Sequence, residues 1–276
     1  MSTLSSRWID VGGVDTHYHE CGTGEPVVFV HGSGPGVSAQ ANWGDLLEDF
    51  GTDRRAIALD CPGFGRSGRV PAERYSMPFW IEHFTGFLDA LELQQVTLVG
   101  NSFGGSLSLA VAASSPARVR RLVLMGTPCG RFPITPGLRA GRLYDGRRES
   151  LGELLRMFPA DPSLVDEAMI ESRWQECQAP GALDAYRSLV PLAVASAESG
   201  GELSGVPEKI VARLRPPTLE IHVLQDAVIP VELGMRIHRA IPGSEFHSFE
   251  GCGHWAQLER RDRFVQLATQ FLGANA

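Results

Sequence analysis

A serine flanked by glycines stands where the sequence pattern changes from strand to helix. The segment 100–104 reads GNSFG, after an apolar run predicted as a strand over Val96–Val99 and before small residues that open a helical pattern. The spacing G-x-S-x-G in this context predicts a sharp, strained strand-to-helix turn, with glycines where the backbone folds most tightly. Such a turn directs the hydroxyl toward the positive end of the following helix. Ser102 is therefore a candidate nucleophile.

A serine hydroxyl needs a general base, and the base needs a carboxylate that orients it. His254 follows the last predicted strand in the segment GCGHW, where flanking glycines allow a loop to reach over the edge of the sheet. Asp226 follows the preceding strand, whereas Glu220 lies inside that strand and Glu232 is expected on a helix surface. The chain order serine, acid, histidine predicts the catalytic triad Ser102, Asp226 and His254.

The negative charge that develops during attack by a serine needs two backbone N–H donors. One donor is expected from Phe103, which follows the nucleophile, and the other from Ser33 in the loop HGSGPG at 31–36. His31 is expected to be a structural hydrogen-bonding residue rather than a second base. The glycines of 31–36 and 63–68 do not combine the G-x-G-x-x-G spacing with the helix that it requires, and neither segment has a P-loop lysine. Nucleotide binding is therefore excluded.

The bulk composition is that of a folded globular protein without a nucleic-acid partner. The chain has 276 residues, of which 43% are hydrophobic and 21% charged, and its net charge is −7. We find no dense Lys/Arg stripe that could bind nucleic acid. No apolar run is long enough to span a membrane, and the N-terminus lacks the apolar core of a signal peptide. Five cysteines without a C-x-x-C spacing argue against disulfides and a zinc site, so a cytoplasmic location is expected.

Apolar runs recur along the chain at intervals that suit alternating strands and helices. Several are continuous Val, Ile and Leu runs, as expected for parallel strands covered on both faces. Strands are expected near Trp8–Val14, Thr16–Glu20, Val27–Val30, Ala56–Leu59, Val96–Val99, Leu122–Met125, Thr218–Val223 and Glu245–Phe249. Helical patterns cover, among others, Phe79–Leu91, Ser106–Ser114 and Asp262–Leu272. The alternation predicts an α/β fold with a doubly wound, mostly parallel eight-stranded sheet and an antiparallel N-terminal hairpin.

The alternation stops between about Pro128 and Pro207, where only helical periodicity is recognised. After a Pro- and Gly-rich entry at 127–137, helical patterns run over Leu151–Phe158, Leu164–Gln175 and Ala182–Val190, and 197–207 is expected to be the return linker. An all-helical insertion between the sixth and seventh strands would cover the carboxyl ends of the strands, where ligands bind in such folds. We therefore expect a core domain of residues 1–127 and 206–276 and a helical cap of residues 128–205.

These motifs resemble those of the α/β-hydrolases, and more narrowly those of the meta-cleavage product hydrolases, over nearly the whole chain. The segments that carry the resemblance are HGSGPGVSAQANW at 31–43, DCPGFGRSG at 60–68, GNSFGG at 100–105, FPITPGL at 132–138, MIESRW at 169–174 and CGHWAQLE at 252–259. The resemblance implies an α/β-hydrolase fold and hydrolysis of a carbon–carbon bond in 2-hydroxy-6-oxohexa-2,4-dienoates, in the degradation of aromatic compounds. It implies a small-molecule substrate, no metal or organic cofactor, and a homodimer or higher homo-oligomer.

The resemblance also implies five substrate-binding residues. Arg173 would bind the carboxylate and the adjacent enol oxygen of a dienoate through its planar guanidinium. Asn42 and Asn101 would supply amide groups beside the nucleophile. Phe158 and Trp255 would form walls around a flat conjugated chain.

Each of these residues also has a structural interpretation. Arg173 lies between Glu171 and Glu176 in a helical pattern, where an arginine ordinarily forms solvated salt bridges. Asn42 could cap the helix that follows it. The two aromatic residues could belong to the packed core.

The sequence departs from the family pattern at three places. The family commonly has Gly-Arg-Asp/Asn-Asp where this chain has VLQD at 223–226, so only Asp226 is kept. Phe103 replaces a more usual methionine, and the segment Arg139–Arg148, RAGRLYDGRR, is rich in arginine where relatives tend to be aromatic. These changes leave the triad intact and bear on specificity for the acyl side of the substrate.

Two other functions use the same scaffold. A carboxylesterase or lactonase needs an identical triad, and its activity on a neutral ester would not depend on Arg173. A non-catalytic binding protein is disfavoured by the complete triad, and halide-releasing and epoxide-opening relatives are disfavoured because they have Asp where this chain has Ser102. The sequence leaves open whether Ser102 forms an acyl-enzyme or deprotonates water.

Overall fold

One mixed sheet runs through the protein and is parallel except at one edge. The computed structural model describes residues 4–188 and 201–273. Within them the strands are β1 (Ser5–Val11), β2 (Val14–Cys21), β3 (Pro26–Val30), β4 (Arg55–Leu59), β5 (Val96–Asn101), β6 (Val119–Met125), β7 (Arg131–Pro133), β8 (Glu202–Ser204), β9 (Thr218–Val223) and β10 (Glu245–Phe249). Eight of them form the sheet in the order β1-β2-β4-β3-β5-β6-β9-β10. The pairs β1–β2 and β2–β4 are antiparallel and the others parallel. The predicted sheet and N-terminal hairpin are confirmed.

The hairpin turn lies earlier than the sequence pattern suggested. The first strand was expected near 8–14, but Val11 pairs with Val14 across a two-residue loop. Gly12 and Gly13 form this loop with φ values of 60° and 83°. Positive φ at both positions is what a tight hairpin turn requires, and it ends the strand there.

Helices cover both faces of the sheet. They are α1 (Ala39–Phe50), α2 (Met77–Ala90), α3 (Phe103–Ser114), α4 (Pro136–Arg142), α5 (Arg148–Leu155), α6 (Glu167–Gln178), α7 (Ala182–Ser188), α8 (Glu208–Val211), α9 (Val231–Ala240), α10 (Ala256–Glu259) and α11 (Arg261–Gly273). Apolar side chains of α1 and α11 pack on one face, and those of α2, α3, α8 and α9 pack on the other. This two-sided cover explains the continuous apolar runs of the central strands. None of the helices described here is long and apolar enough to cross a membrane.

The segment between β6 and β9 carries helices α4 to α7 around an apolar cluster of its own. Trp255, from the loop before α10, joins this cluster, so the segment packs against the body of the protein. The sequence pattern indicated no strand here, but β7 and β8 pair as an antiparallel ladder, with Arg131 opposite Ser204. A strand of three residues is too short for its alternation to be recognised. Residues 189–200, which include parts of the predicted third helix and linker, lie outside the described residues, and the boundaries of the cap stay a prediction.

Candidate active site

The turn between β5 and α3 holds Ser102 in the strained conformation that the sequence predicts. Ser102 has φ 52° and ψ −112°, and among the described non-glycine residues only Glu92 also has a positive φ. A Cβ atom at Gly104 would lie 2.1 Å from the carbonyl oxygen of Val30, and one at Gly100 would lie 2.6 Å from that of Gly104. No larger residue fits at these two positions unless the backbone moves.

His254 and Asp226 form the hydrogen bond expected of triad partners. Nδ1 of His254 donates to Oδ2 of Asp226 at 2.8 Å, which leaves Nε2 as the ring nitrogen that can accept a proton from a serine. The second carboxylate oxygen accepts the N–H groups of Val228 and Ile229 at 2.8 and 2.9 Å. Burial alone would raise the pKa of Asp226, but the His254 ring, His222 and the Ile229 N–H group lower it below its ordinary value. The carboxylate is therefore charged and fixed in orientation.

A second histidine lies behind Asp226, and the sequence analysis did not identify it. Nδ1 of His222 lies 3.2 Å from Oε1 of Glu220, and its Nε2 lies 2.8 Å from the carbonyl oxygen of Ile229 and 3.6 Å from Oδ2 of Asp226. Both ring nitrogens face acceptors, an arrangement that suits a protonated ring. Burial alone would lower the pKa of His222, but the two carboxylates raise it, and burial raises the pKa of Glu220. The signal in the sequence was the two-residue spacing of Glu220 and His222, which places both side chains on one face of β9.

The two residues predicted to supply oxyanion donors lie beside Ser102. Phe103 is the first residue of α3, so its N–H group has no partner within the helix. The Gly32 N–H group donates to Oδ1 of Asn42 at 3.1 Å, which fixes the backbone next to Ser33. Ser33 and Phe103 line the same cavity as Ser102. Their role as donors stays a prediction.

His31 makes the structural hydrogen bonds expected of it. Its Nδ1 donates to the carbonyl oxygen of Gly32 at 2.7 Å, and its Nε2 accepts the N–H group of Cys61 at 3.0 Å. Burial lowers the pKa of His31. The ring is therefore neutral, and both its nitrogens are bound to the backbone.

A cavity of about 460 Å³ contains Ser102. Nine of the ten predicted site residues line it, and the tenth, Asp226, contacts it through His254. The nine are Ser33, Asn42, Asn101, Ser102, Phe103, Phe158, Arg173, His254 and Trp255. Because they come from positions far apart in sequence, the fold alone brings them together.

Arg173 is buried on α6, lines the cavity and has no carboxylate partner within residues 4–188 and 201–273. Its exposed fraction is 6%, and its guanidinium touches the carbonyl oxygens of Gly36 and Ala41 at 3.5 Å and lies 5.8 Å from the centre of the Trp255 ring. Burial lowers its pKa to about 10. Glu171 binds Arg148 instead. The solvated salt bridge considered for Arg173 is thus absent from the described residues, and a buried cation is left available for an anion.

The two asparagines contact the cavity in different ways. Asn42 lies inside α1, whose N-cap is Ser38, so the capping role considered for Asn42 is wrong. Its buried Nδ2 has no hydrogen-bond partner among the described residues, and it is an available donor in the cavity. Asn101 ends β5, and its Nδ2 donates to the carbonyl oxygen of Met125 at 3.3 Å. This bond ties the end of β5 to β6.

Phe158 and Trp255 both line the cavity and pack as part of the core. Their rings are stacked, with centroids 5.2 Å apart and an interplanar angle of 14°. The ring of Phe158 also lies 5.9 Å from that of His254, and its carbonyl oxygen accepts the His254 N–H group at 2.7 Å. The loop after α5 is thereby bound directly to the loop that carries the histidine.

A second cavity, of about 1050 Å³, also reaches Ser102. Residues of α3, of the β7–β8 pair and of α8 line it. Leu138 and Arg142 of α4 belong to both cavities, and the sequence analysis had assigned neither to the site. The arginine-rich segment that contains Arg142 was the only signal.

Comparison with known proteins agrees with this geometry. Residues 25–261 match the family model for the alpha/beta hydrolase fold. The chain is 41% identical to the 2-hydroxy-6-oxo-2,4-heptadienoate hydrolase of Pseudomonas putida (strain F1), over 97% of this chain and 96% of that protein. It is 34% identical to a 2-hydroxy-6-oxononadienedioate/2-hydroxy-6-oxononatrienedioate hydrolase of Paraburkholderia phymatum, over 98% and 96% of the two chains. The solved meta-cleavage product hydrolase CumD of Pseudomonas fluorescens IP01, complexed with acetates, superposes with a TM-score of 0.90 at 37% identity and covers 96% of this chain and 97% of its own.

Proposed function

The chain belongs to the alpha/beta hydrolase family and, within it, to the meta-cleavage product hydrolases, and from this premise we propose that it hydrolyses the carbon–carbon bond next to the ketone of a 2-hydroxy-6-oxohexa-2,4-dienoate. The products are 2-hydroxypenta-2,4-dienoate and a carboxylic acid. The observation that carries the proposal is Arg173, a buried cation that lines the cavity of Ser102 and has no carboxylate partner among the described residues. A substrate with a carboxylate at one end and a ketone near the serine suits both groups.

We assign the chemical roles as follows. Arg173 binds the carboxylate end of the dienol, and His254 moves the proton that converts it to the ketone form. Water or Ser102 then adds to the distal ketone, with the N–H groups of Ser33 and Phe103 stabilising the oxyanion. The bond between the former ketone carbon and its neighbour breaks, and the released carbanion equivalent takes up a proton. If Ser102 is the nucleophile, water then hydrolyses the acyl-enzyme, so either route consumes one water.

Asp226 orients His254 and stabilises its protonated form. Support comes from the 2.8 Å hydrogen bond between them and from the backbone N–H groups that hold the carboxylate. Asn42 offers to the substrate its Nδ2, which has no hydrogen-bond partner among the described residues. The stacked pair of Phe158 and Trp255 excludes water from one side of the conjugated chain.

We also propose that residues 128–205 form a cap over a core of residues 1–127 and 206–276. Its described helices share one apolar cluster, which includes Trp255 of the core. Phe158 and Arg173, from this segment, line the cavity together with Ser102. Substrate would thus be bound between the two units, where ligands bind in such folds.

Stopped-flow absorbance with a panel of yellow dienoates that differ at C6 tests the activity. We expect rapid loss of the dienoate absorbance, and we expect Ser102→Ala to abolish formation of the products. Ser163→Ala, at an exposed position of the cap, is the matched control and should bleach the substrates as the wild type does. Failure of the wild type to bleach any member of the panel contradicts the proposal.

The location and assembly of the protein are separate proposals. We propose a cytoplasmic enzyme, which is supported by the free thiols of all five cysteines, and a homodimer or higher homo-oligomer, which is supported by the family resemblance. Cell fractionation and light scattering during gel filtration test the two proposals. A secreted or monomeric protein would contradict them.

A further inference from the structure

Arg142, the last residue of α4, is a cation without an ion-pair partner in the described part of the chain. Its Nη1 is buried and has no hydrogen-bond acceptor there, and burial lowers the pKa of its guanidinium. Other arginines of the segment are paired with carboxylates at the surface: Arg147 with Asp145, and Arg148 with Glu167 and Glu171. Arg142 as a whole is half-buried, but a buried N–H group without an acceptor is unfavourable, and an anionic ligand that accepts a hydrogen bond from Nη1 would relieve that cost.

Arg142 lines the two cavities that reach Ser102. It lines both the smaller cavity, which contains Arg173 and Ser102, and the larger cavity, which also reaches Ser102. Among the residues that the structure describes, it is the only charged one that the two cavities share. Arg173, by contrast, lines the smaller cavity but not the larger one.

Ser102 and Arg142 both line the two cavities and therefore lie where the cavities meet. A dienoate whose carboxylate lies on Arg173 and whose ketone lies at Ser102 must extend the group beyond the ketone past the junction of the cavities. Arg142 stands at that junction beside apolar side chains such as Leu138 and Phe132. Resting on the function proposed above, we infer that Arg142 forms a second anion-binding subsite, which receives a carboxylate carried by the substrate beyond its ketone. The preferred substrate is then a dicarboxylate.

The test compares two substrates of equal length. One is 2-hydroxy-6-oxonona-2,4-dienedioate, which yields 2-hydroxypenta-2,4-dienoate and succinate, and the other is its neutral-ended analogue 2-hydroxy-6-oxonona-2,4-dienoate, which yields butyrate. The wild type should prefer the dienedioate in kcat/KM. Arg142→Met, which keeps the length of the side chain, should reduce that preference about 10- to 100-fold, the range of one charge-assisted hydrogen bond. Arg139→Met, at an exposed position of the same helix, should leave the preference unchanged.

A binding measurement that needs no turnover separates this subsite from the proposed reaction. Succinate should raise the melting temperature of the wild type more than butyrate does, and Arg142→Met should abolish the difference. If neither dienoate is cleaved but succinate still binds through Arg142, the proposed function fails and the subsite stands. Equal turnover of both substrates by the wild type, together with equal binding of the two acids, overturns the subsite and leaves the proposed function intact. An equal fall of kcat/KM for both substrates in Arg142→Met also overturns it, because it indicates a merely structural role.

Discussion

Replacement of Arg173 by alanine should separate carbon–carbon hydrolysis from simple ester hydrolysis. The guanidinium is buried and has no competing carboxylate among the described residues, so a substrate carboxylate would be its only strong partner. Removal of one member of a buried, hydrogen-bonded charge pair costs about 2 to 5 kcal/mol. At about 1.4 kcal/mol per tenfold change, this cost corresponds to a loss of about 30- to 4000-fold in kcat/KM for a dienoate.

The same substitution should leave the fold intact. The lowered pKa of Arg173, about 10, means that the charge is held in the folded protein at a cost on the order of 3 kcal/mol. Arg173→Ala removes this cost, and the gain in folding free energy offsets the loss of packing between the arginine side chain and Trp255. We expect the melting temperature to fall by no more than a few degrees, which thermal denaturation measures.

The assay measures kcat/KM for a dienoate by loss of absorbance and for p-nitrophenyl acetate by release of nitrophenol. Arg173→Ala should lower the first by at least about 30-fold and leave the ester reaction mostly intact, because a neutral ester has no carboxylate to bind. Arg148→Ala is the matched control. Arg148 forms surface ion pairs with two glutamates of α6, the helix that carries Arg173. An equal loss on both substrates, with a normal melting temperature, would refute the assigned role and favour an esterase or lactonase.

Two further predictions concern the supports of the triad. Because its partner carboxylates raise the pKa of His222 above 6.5, its contribution to stability is fully present below about pH 6.5 and is lost as the pH rises through the raised pKa. Glu220→Gln should flatten this decline, which thermal melts between about pH 5 and 9 measure. A Glu220→Gln variant that keeps the pH profile of the wild type would contradict the argument. At Gly253 an added Cβ would lie 2.3 Å from the carbonyl oxygen of Phe158, so Gly253→Ala should cost about 1 to 3 kcal/mol and lower kcat as the histidine loop moves. Gly273→Ala is the control, because a Cβ at Gly273 meets nothing within 4 Å. Equal effects of the two variants on kcat would show that the position of the histidine loop does not depend on Gly253.

Local patterns were sufficient for the eight strands of the large sheet and for a hypothesis about the triad. The glycines around Ser102 and the continuous apolar runs predict the turn and the parallel strands from residues close in sequence, because backbone sterics and burial on both faces leave few alternatives. The chain order of the turn, the acid after β9 and the histidine after β10 then suggested the triad partners. The short β7–β8 pair was missed because its partners are about seventy residues apart and each strand has only three residues.

The sequence by itself determined the strands of the large sheet, the chain order of the predicted triad residues and the likeness to a family. Only the tertiary structure decided which polar groups lost their water and which found partners. Local spacing alone allowed Arg173 to be a surface residue between two glutamates and Asn42 to be a helix cap, and only the resemblance to a family predicted that they bind substrate. The fold buries both residues in the cavity that contains Ser102. His222 and Arg142 became notable only when β9 and α4 were packed against their neighbours. Burial and pairing depend on contacts between residues far apart in the chain, and no local spacing records them.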